Sequence, residues 1–328
     1  MRVKRVGTLA AVLIWAACAC FRAASAQSVD GWVAAQTGQK GKDLVAVYFV
    51  DSKRGWVAGD AGLILHTQDG GRTWAQQRVE TTENINDIYF RNKEDGYLLA
   101  GNRIFTTDDA GQTWREAARF QPATFGGAEP ELYSVRFTSK KKGWAVGSLS
   151  RSDRIADSLL LYTDDGGTSW QRQRVPTQDE IFQIDFAGEK RGWVVGSSGV
   201  ILHTSDGGQT WTKQLSNTTE TLYHVDFRNE RTGWAVGSRG TILLTDDGGQ
   251  TWRVVSSPVR ATLLKVAFIN DEDGWAVGRG GVILRSGDGG RTWIQQQSPT
   301  KTNLYGLFVD KNRGWAVGGD GYILQYEQ

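Results

Sequence analysis

The residues able to do acid–base or metal chemistry are few and scattered in this 328-residue chain. Its three histidines, His66, His203 and His224, do not have the spacing of a metal site. No nucleophile elbow, phosphate loop or zinc-helix motif is present, and acidic runs such as Thr245–Gly249 lack the terminal glutamate of a calcium loop. The sequence therefore predicts no catalytic residue, no metal site and no cofactor.

Arginine is the residue type with the clearest binding chemistry, because its planar guanidinium pairs with carboxylates and phosphates through two hydrogen bonds. Five arginines lie at related places between apolar segments, and we predict that they bind a partner: Arg103, Arg151, Arg154, Arg239 and Arg279. Arg260 and Lys301 lie in nearby polar segments. The alternative is scattered solubilising charge, since matching segments elsewhere carry Asp60, Ser198 and Asp320.

A repeated sequence defines the elements that position these side chains. Six copies of Ser/Thr-x-Asp-x-Gly-x-Thr/Ser-Trp, which we call the Asp box, occur between Thr67 and Trp293. The Asp of this phrase can accept hydrogen bonds from backbone N–H groups across a turn, and the Gly permits positive φ. We therefore predict a structural role for its aspartates, which are Asp69, Asp109, Asp165, Asp206, Asp247 and Asp288.

A second phrase, Gly-Trp-Ala-Val-Gly or a near copy, occurs seven times with the same period of about 41 residues. Each repeat has four short apolar or alternating segments, shown best by Leu222–Phe227, Gly233–Gly237, Thr241–Thr245 and Trp252–Val255. No helical periodicity follows residue 27. The sequence predicts an all-β protein, a seven-bladed β-propeller of four-stranded antiparallel blades. Twelve of the 14 tryptophans lie in the two phrases and are predicted to fill the core between blades, with a carbohydrate-stacking row as the alternative.

The two ends of the chain are predicted to share one blade. The last repeat stops after its third strand, whereas Asp30–Gln36 resembles the strand that follows an Asp box. We predict that Asp30–Gln36 completes the blade begun at Leu304, which closes the ring and covers a sheet edge.

The third repeat is longer than the others because it contains two insertions, at about 119–131 and 148–158. In an up-and-down blade these connections emerge on the same face, opposite the Asp boxes, so we expect two long loops that bind a partner or are tolerated extras. The arginines above are expected on this face. Asp87, Gln183, His224 and Lys265 occupy the third position of their inner strands, where polar lining of a channel is favoured over catalysis.

The first 26 residues read as a signal peptide, and residues 27–328 as a single propeller domain. Arg2, Lys4 and Arg5 precede an apolar stretch, and small residues at Ala24 and Ala26 favour cleavage before Gln27. An uncleaved anchor, or a lipoprotein through Cys18 or Cys20, is the alternative. Four of the 38 basic residues and none of the 36 acidic ones precede Gln27, which leaves a net charge of −2 and gives no support for nucleic-acid binding.

The full pattern resembles the BNR/Asp-box propellers, and within them the photosystem II stability and assembly factor family. The matching residues read Leu-x-x-Val-x-Phe, Gly-Trp-Ala-Val-Gly and Ile-Leu-x-Thr-x-Asp-Gly-Gly-x-Thr-Trp, and they are clearest over 222–252. The resemblance implies a non-enzymatic exported protein that binds a membrane-protein subunit or precursor through an arginine-rich face. We expect this protein to be monomeric and peripheral to the membrane. In a photosynthetic host it implies the thylakoid lumen and a photosystem II reaction-centre precursor, and otherwise the periplasm.

A glycosidase-like or glycan-binding propeller is the rival interpretation, because Asp boxes also occur in such proteins. Glycoside hydrolysis needs two carboxylates at a defined separation. Four acidic residues of the insertions are candidates, namely Glu129, Glu131, Asp153 and Asp157. Arg174-Val175-Pro176 is the nearest string to the Arg-Ile-Pro signature of sialidases, and it lies mid-chain.

Overall fold

The computed structural model describes residues 31–35, 39–311 and 313–327. These residues form seven separate four-stranded antiparallel sheets, and the inner strands of successive sheets contact one another around a ring. The predicted seven-bladed β-propeller is therefore confirmed. Within the described ranges, no helix has the length and apolar character needed to cross a bilayer.

Each blade runs from an inner strand to an outer strand in chain order. Blade I contains β2 (Leu44–Phe49), β3 (Gly55–Gly59), β4 (Ile64–Thr67) and β5 (Ala75–Gln77). Blade II contains β6 (Ile85–Phe90), β7 (Gly96–Ala100), β8 (Arg103–Thr107) and β9 (Arg115–Arg119). Blade III contains β10 (Glu129–Phe137), β11 (Gly143–Arg151), β12 (Arg154–Thr163) and β13 (Gln171–Gln173).

The remaining blades follow the same order. Blade IV contains β14 (Ile181–Ala187), β15 (Arg191–Gly196), β16 (Ile201–Thr204) and β17 (Thr212–Gln214). Blade V contains β18 (Leu222–Phe227), β19 (Gly233–Gly237), β20 (Ile242–Thr245) and β21 (Arg253–Val255). Blade VI contains β22 (Leu263–Phe268), β23 (Asp273–Gly278), β24 (Ile283–Gly287) and β25 (Ile294–Gln296). Blade VII contains β26 (Leu304–Val309), β27 (Arg313–Gly318), β28 (Ile323–Glu327) and β1 (Gly31–Ala34).

Ring closure by the N-terminal strand is confirmed. β1 pairs antiparallel with β28, and Trp32 lies opposite Tyr326. Trp32 is 5% exposed and packs in the same core cluster as Trp275 and Tyr326. The first and last described strands are therefore neighbours in one sheet, which leaves no unpaired third strand at the chain end.

The Gly-Trp phrase is explained by packing between blades. The Phe that ends an inner strand lies over the Gly that opens the next strand, and a Cβ on Gly233 would lie 2.5 Å from the Phe227 ring. The opposite face of that ring stacks on the Trp of the preceding blade, as in Trp193–Phe227 with ring centroids 3.4 Å apart. The predicted core role of these tryptophans agrees with their complete burial, which leaves no exposed row for carbohydrate stacking among the second-strand tryptophans.

Blade III differs from the expected pair of long loops. The second insertion extends β11 and β12 into a hairpin whose tip is Ser152 and Asp153, both with positive φ. The first insertion contributes a 3₁₀ turn at Pro122–Phe125 and then lengthens β10, so that Glu131 pairs with Ser148. The expectation of two long loops was wrong, because residues of the two insertions pair with one another as strands. The two insertions do lie together on blade III, as expected.

Candidate partner-binding face

The turns after the second strands and the loops that cross between blades lie on one face, which we call the crossing face. In blade V, the Ser238 N–H donates to the Thr221 carbonyl (2.9 Å), and Gly240 lies against the Val259 carbonyl of the next crossing loop. Similar contacts recur in blades I, IV, VI and VII. Each turn is therefore held between two crossing loops, so its side chains project from a fixed backbone.

Arg239 and Arg279 project from two such turns on adjacent blades. Arg239 has a left-handed φ of 53°, its side chain is 81% exposed, and its Nη1 lies 3.3 Å from Glu220 Oε1. Arg279 is exposed and precedes Gly280, which takes the left-handed position of its turn. The two arginines therefore lie one position apart within equivalent turns, because Arg239 follows Ser238 whereas Arg279 directly follows Gly278.

Arg103 lies in a different environment from the other four predicted arginines. Its side chain is 15% exposed, its guanidinium lies 5.4 Å from the Phe105 ring centroid, and it approaches Glu116 and Thr81 Oγ1. These contacts, with blade II and the loop that enters it, leave few N–H groups of the guanidinium available to bind a partner. Sequence reasoning missed this pairing because Thr81 and Glu116 lie on separate elements.

Arg151 and Arg154 flank the tip of the blade III hairpin. Both residues are exposed, and the Arg151 Nη2 donates to the Gly126 carbonyl (2.8 Å), which ties the hairpin to the first insertion. The structure thus brings the two insertions together and presents Arg154 beyond them. It places these arginines on blade III, away from Arg239 and Arg279.

Charge is unevenly distributed over the crossing face. The turns at 238–240 and 279–281 and the crossing loops at 256–262 and 297–303 carry Arg239, Arg260, Arg279 and Lys301 without an acidic residue. We call these four residues the cationic sector, and all four are exposed. Acidic residues lie elsewhere on this face: in the turns of blades I and VII at Asp60 and Asp320, on β10 at Glu129 and Glu131, and in the other crossing loops at Glu80, Glu83, Asp179, Glu180 and Glu220. The absence of acidic residues from these four segments is visible in the sequence, but our prediction considered only the arginines.

An aromatic arc borders the central channel on the crossing face. Tyr133, Phe182 and Tyr223 lie on three successive inner strands, each directly after a buried Leu or Ile, with ring centroids 5.6 Å and 5.3 Å apart. The Tyr133 hydroxyl donates to Glu180 Oε1 (2.7 Å) and contacts Ser148. These rings are half-buried and offer flat apolar surface beside the charged loops. The sequence analysis did not single them out.

The polar residues of the inner strands connect neighbouring blades. An inner strand has a free backbone edge toward the axis, and side chains of the preceding blade accept hydrogen bonds from it. The Val135 N–H donates to Asp87 (3.0 Å), the Phe227 N–H to Asp185 (2.7 Å) and the Phe268 N–H to Asp226 (3.0 Å). Asp87 also pairs with Arg136 (2.8 Å). This arrangement supports the structural interpretation of the channel residues over a catalytic one.

Burial shifts the pKa values of the channel groups. Burial, with backbone hydrogen bonds acting against it, raises the pKa of Asp185 to about 6. Burial and the neighbouring Asp185 carboxylate raise the pKa of Asp226 to about 8. Burial also lowers the pKa of Lys265 to about 8. Perturbed pKa values of this kind also occur in structural networks, and here each carboxylate already binds a backbone amide.

The Asp boxes lie on the opposite face and form closed hydrogen-bond sets. In the first, the Thr73 N–H and hydroxyl donate to the two Asp69 oxygens (2.9 and 2.6 Å), and the Thr67 hydroxyl also donates to Asp69. The Thr73 hydroxyl and amide lower the pKa of Asp69 to about 2. The same bonds recur at Asp109, Asp165, Asp206, Asp247 and Asp288. No group of three or more metal-ligating side chains with suitable geometry occurs in the described part of the chain.

The candidate carboxylates of the rival enzyme lie in three different settings on blade III. Asp157 is bound by Arg172 (2.6 Å), and Asp153 occupies the hairpin tip. Glu129 and Glu131 lie on β10, paired with Ser150 and Ser148 of β11. Arg174, Val175 and Pro176 belong to the loop that crosses from blade III to blade IV.

Two curated relatives are assembly factors. The chain is 28% identical over 106 residues to the photosystem II assembly lipoprotein Ycf48 of Synechococcus sp. (strain CC9902), covering 32% of this chain and 28% of that protein. It is 32% identical over 88 residues to the chloroplastic photosystem II stability/assembly factor HCF136 of Arabidopsis thaliana, covering 25% of this chain and 18% of that protein. The aligned regions thus span less than a third of either relative. A lipoprotein and a chloroplastic factor are consistent with an exported or membrane-associated protein.

Solved structures share the fold at low identity. A structure of YCF48 bound to D1 peptide has a TM-score of 0.72 at 21% identity, covering 90% of this chain and 97% of that one. A virginiamycin B lyase from Staphylococcus aureus also has a TM-score of 0.72, at 14% identity, covering 91% and 99%. The fold is therefore shared with an enzyme as well as with an assembly factor, and it does not decide function.

A family model gives the more specific comparison. The model described as photosynthesis system II assembly factor YCF48 matches residues 24–118, 125–218, 212–262 and 256–327. These ranges include all seven blades, and the resemblance to an assembly factor supports a non-catalytic assembly role. The chain belongs to the YCF48 family of photosystem II assembly factors.

Proposed function

We propose that this protein is a non-catalytic exported scaffold that binds a subunit or precursor of a membrane-protein complex through its crossing face. The family match supports the assembly role, and the solved relative that carries a D1 peptide supports a reaction-centre subunit as the partner class. In a photosynthetic host the partner would be a photosystem II reaction-centre precursor. The protein would act as a monomer at the surface of the membrane, in the thylakoid lumen or the periplasm.

The observation that carries the proposal is the cationic sector. Its four side chains are exposed, and among the described residues only Arg239 has a carboxylate within ion-pair distance, at 3.3 Å in a solvent-exposed setting. An exposed ion pair of this kind contributes little, typically under about 1 kcal/mol, so a partner carboxylate can replace Glu220 at low cost. Two arginines on fixed turns of adjacent blades can therefore bind an acidic segment that spans both blades.

The experiment is recovery of complexes from membranes of the native host after mild crosslinking. We compare the wild-type protein with Arg239→Glu/Arg279→Glu and with Lys53→Glu/Arg72→Glu, a matched change of two exposed cations on the Asp-box face. We expect membrane-complex subunits with the wild type and the control, and at least a tenfold loss with the first variant (about 1.4 kcal/mol). Equal recovery from all three proteins contradicts the proposal.

A further inference from the structure

The blade III hairpin has an uncovered strand edge on the crossing face. β12 extends from Arg154 to Thr163 and pairs along its inner side with β11 as far as the hairpin tip. On its outer side, β13 covers only Leu160, Leu161 and Tyr162. Among the described residues, 154–159 therefore have no strand partner on the outer side. By contrast, β4, β16 and β20 have four residues each, and a three-residue outer strand covers most of each one.

A cleft of about 190 Å³ adjoins this edge, between β12 and the loop that crosses to blade IV. Arg172 forms its floor by donating to Asp157 Oδ2 (2.6 Å) and to the Ser158 carbonyl (3.1 Å). The Ser158 hydroxyl donates to the Thr177 carbonyl across the cleft (2.9 Å). These hydrogen bonds hold the edge of β12 and the crossing loop at a fixed separation, so both sides of the cleft are ordered.

The side chains around the edge favour an acidic, partly apolar ligand. Arg154 and Arg174 are exposed at either end of the edge, and Ile155 is 45% exposed between them. The single carboxylate that lines the cleft, Asp157, is already neutralised by Arg172. Extended segments bind such edges through main-chain hydrogen bonds, and alternate side chains then supply specificity.

We infer that the outer edge of β12, residues 154–158, is a docking site for an extended acidic segment that adds to blade III as an extra strand. The inference rests on the proposed function for the source of that segment. Main-chain hydrogen bonds to the edge would give affinity, and carboxylates of the segment would pair with Arg154 and Arg174. Alternate apolar side chains would cover Ile155.

The test uses a fluorescently labelled peptide of four Val-Glu repeats with blocked ends, and a Val-Lys peptide of equal length for comparison. The first variant is Ala156→Pro, which removes one backbone N–H of the proposed docking segment at the position where the β11–β12 register shifts, and bulges are among the places where strands accept proline. Ala156→Val, which keeps the N–H, is its matched control. Arg154→Glu/Arg174→Glu is a second variant that leaves the edge backbone intact. Thermal melts check that each variant is folded.

We expect the Val-Glu peptide to bind the wild type and Ala156→Val alike, and to bind Ala156→Pro and the Arg154→Glu/Arg174→Glu variant about tenfold more weakly. Hydrogen exchange at 154–158 should slow on binding. Unchanged binding to Ala156→Pro, equal binding of the Val-Lys peptide, protection confined to other segments or no binding overturns the inference. The proposed function is judged separately, because Arg239 and Arg279 lie on other blades and their variants are scored by recovery of membrane subunits.

Discussion

At the scale of single residues, the aspartates of this protein show how the surroundings set a carboxyl group's role. The pKa of Asp69 is lowered because the Thr73 hydroxyl and amide donate to its charged form. The pKa of Asp226 is raised because burial and the nearby Asp185 disfavour its charge, although it too binds a backbone amide. Asp-box aspartates therefore favour ionisation, whereas channel aspartates resist it.

We predict that Asp226→Asn increases stability at alkaline pH. The folded-state pKa lies above the unfolded value, so the free energy of unfolding falls as pH rises from about 4 to about 8. Asparagine keeps an oxygen acceptor for the Phe268 amide and cannot ionise. We expect the melting temperature to rise by about 2 °C or more at pH 8 and to stay unchanged at pH 4. A gain of the same size at both pH values would contradict the predicted cause.

We also predict that Asp247→Ala destabilises blade V and that Asp246→Ala does not. Asp247 accepts from the Thr251 amide (2.9 Å) and hydroxyl (2.7 Å), which hold the turn closed. Its neighbour Asp246 makes an exposed ion pair with Arg253. By analogy with lost helix caps, we expect a cost of about 1 kcal/mol for the first change and under 0.5 kcal/mol for the second, measured by urea denaturation. Equal costs would show that the box aspartate is not a specific stabiliser.

The hydrogen bonds of the Asp-box aspartates could be expected from sequence because all their partners lie within four residues, so a local motif contains the whole interaction. Their contribution to stability stays a prediction. The environment of Arg103 could not be predicted in the same way. Its contacts come from Thr81 and Glu116, which approach only when three elements pack together. Whether any of the five arginines binds a partner stays a prediction.

At the scale of elements, the strand pattern was predicted nearly to the residue where the repeat is regular. In blade V, the predicted strands at 222–227 and 233–237 match β18 and β19. The blade III insertions could not be predicted as strands, because their pairing depends on contacts such as Glu131 with Ser148 and on the turn at Ser152 and Asp153. Neither insertion has an alternating apolar pattern that would indicate a strand.

We predict that the glycine preceding a second-strand Trp cannot be replaced. In Gly233→Ala, the new Cβ would lie 2.5 Å from the Phe227 ring, which is itself stacked on Trp193. The ring cannot move without breaking that stack, so we expect a loss of about 1–3 kcal/mol. Gly287→Ala is the control, since its nearest atom would be Asp273 Oδ1 at 3.9 Å. Chemical denaturation of both variants checks this, and a neutral Gly233→Ala would refute the packing argument.

At the scale of the whole molecule, the two faces of the propeller differ in how their loops are built. The Asp boxes close the turns on one face, and the loops of the crossing face differ in charge from blade to blade. A rigid ring with variable loops on one side allows recognition to change while the fold stays the same. The segments at 238–240, 256–262, 279–281 and 297–303, which contain no acidic residue, are the clearest instance.

We predict that deleting residues 27–36 opens the ring. Blade VII would lose β1, so Trp32 would leave its core cluster and the edge of β28 would be exposed. We expect a lower melting temperature and concentration-dependent association through the free edge, measured by calorimetry and light scattering. Trp32→Ala, which keeps the strand, should lower the melting temperature without causing association. A truncated chain that melts like the wild type would show that β1 does not hold the ring closed.

The pairing of β1 with β28 also determines when blade VII can form during synthesis of the chain. The ribosome makes Gly31–Ala34 before Ile323–Glu327, so the seventh blade cannot form until both segments have been synthesised. Contacts between such distant segments form slowly, because a long loop must close before they contribute. A chain interrupted before Ile323–Glu327 leaves β1 without its partner strand. Ring closure therefore separates a chain that contains both segments from a shorter fragment, whose additional open edge is a surface that chaperones and proteases can bind.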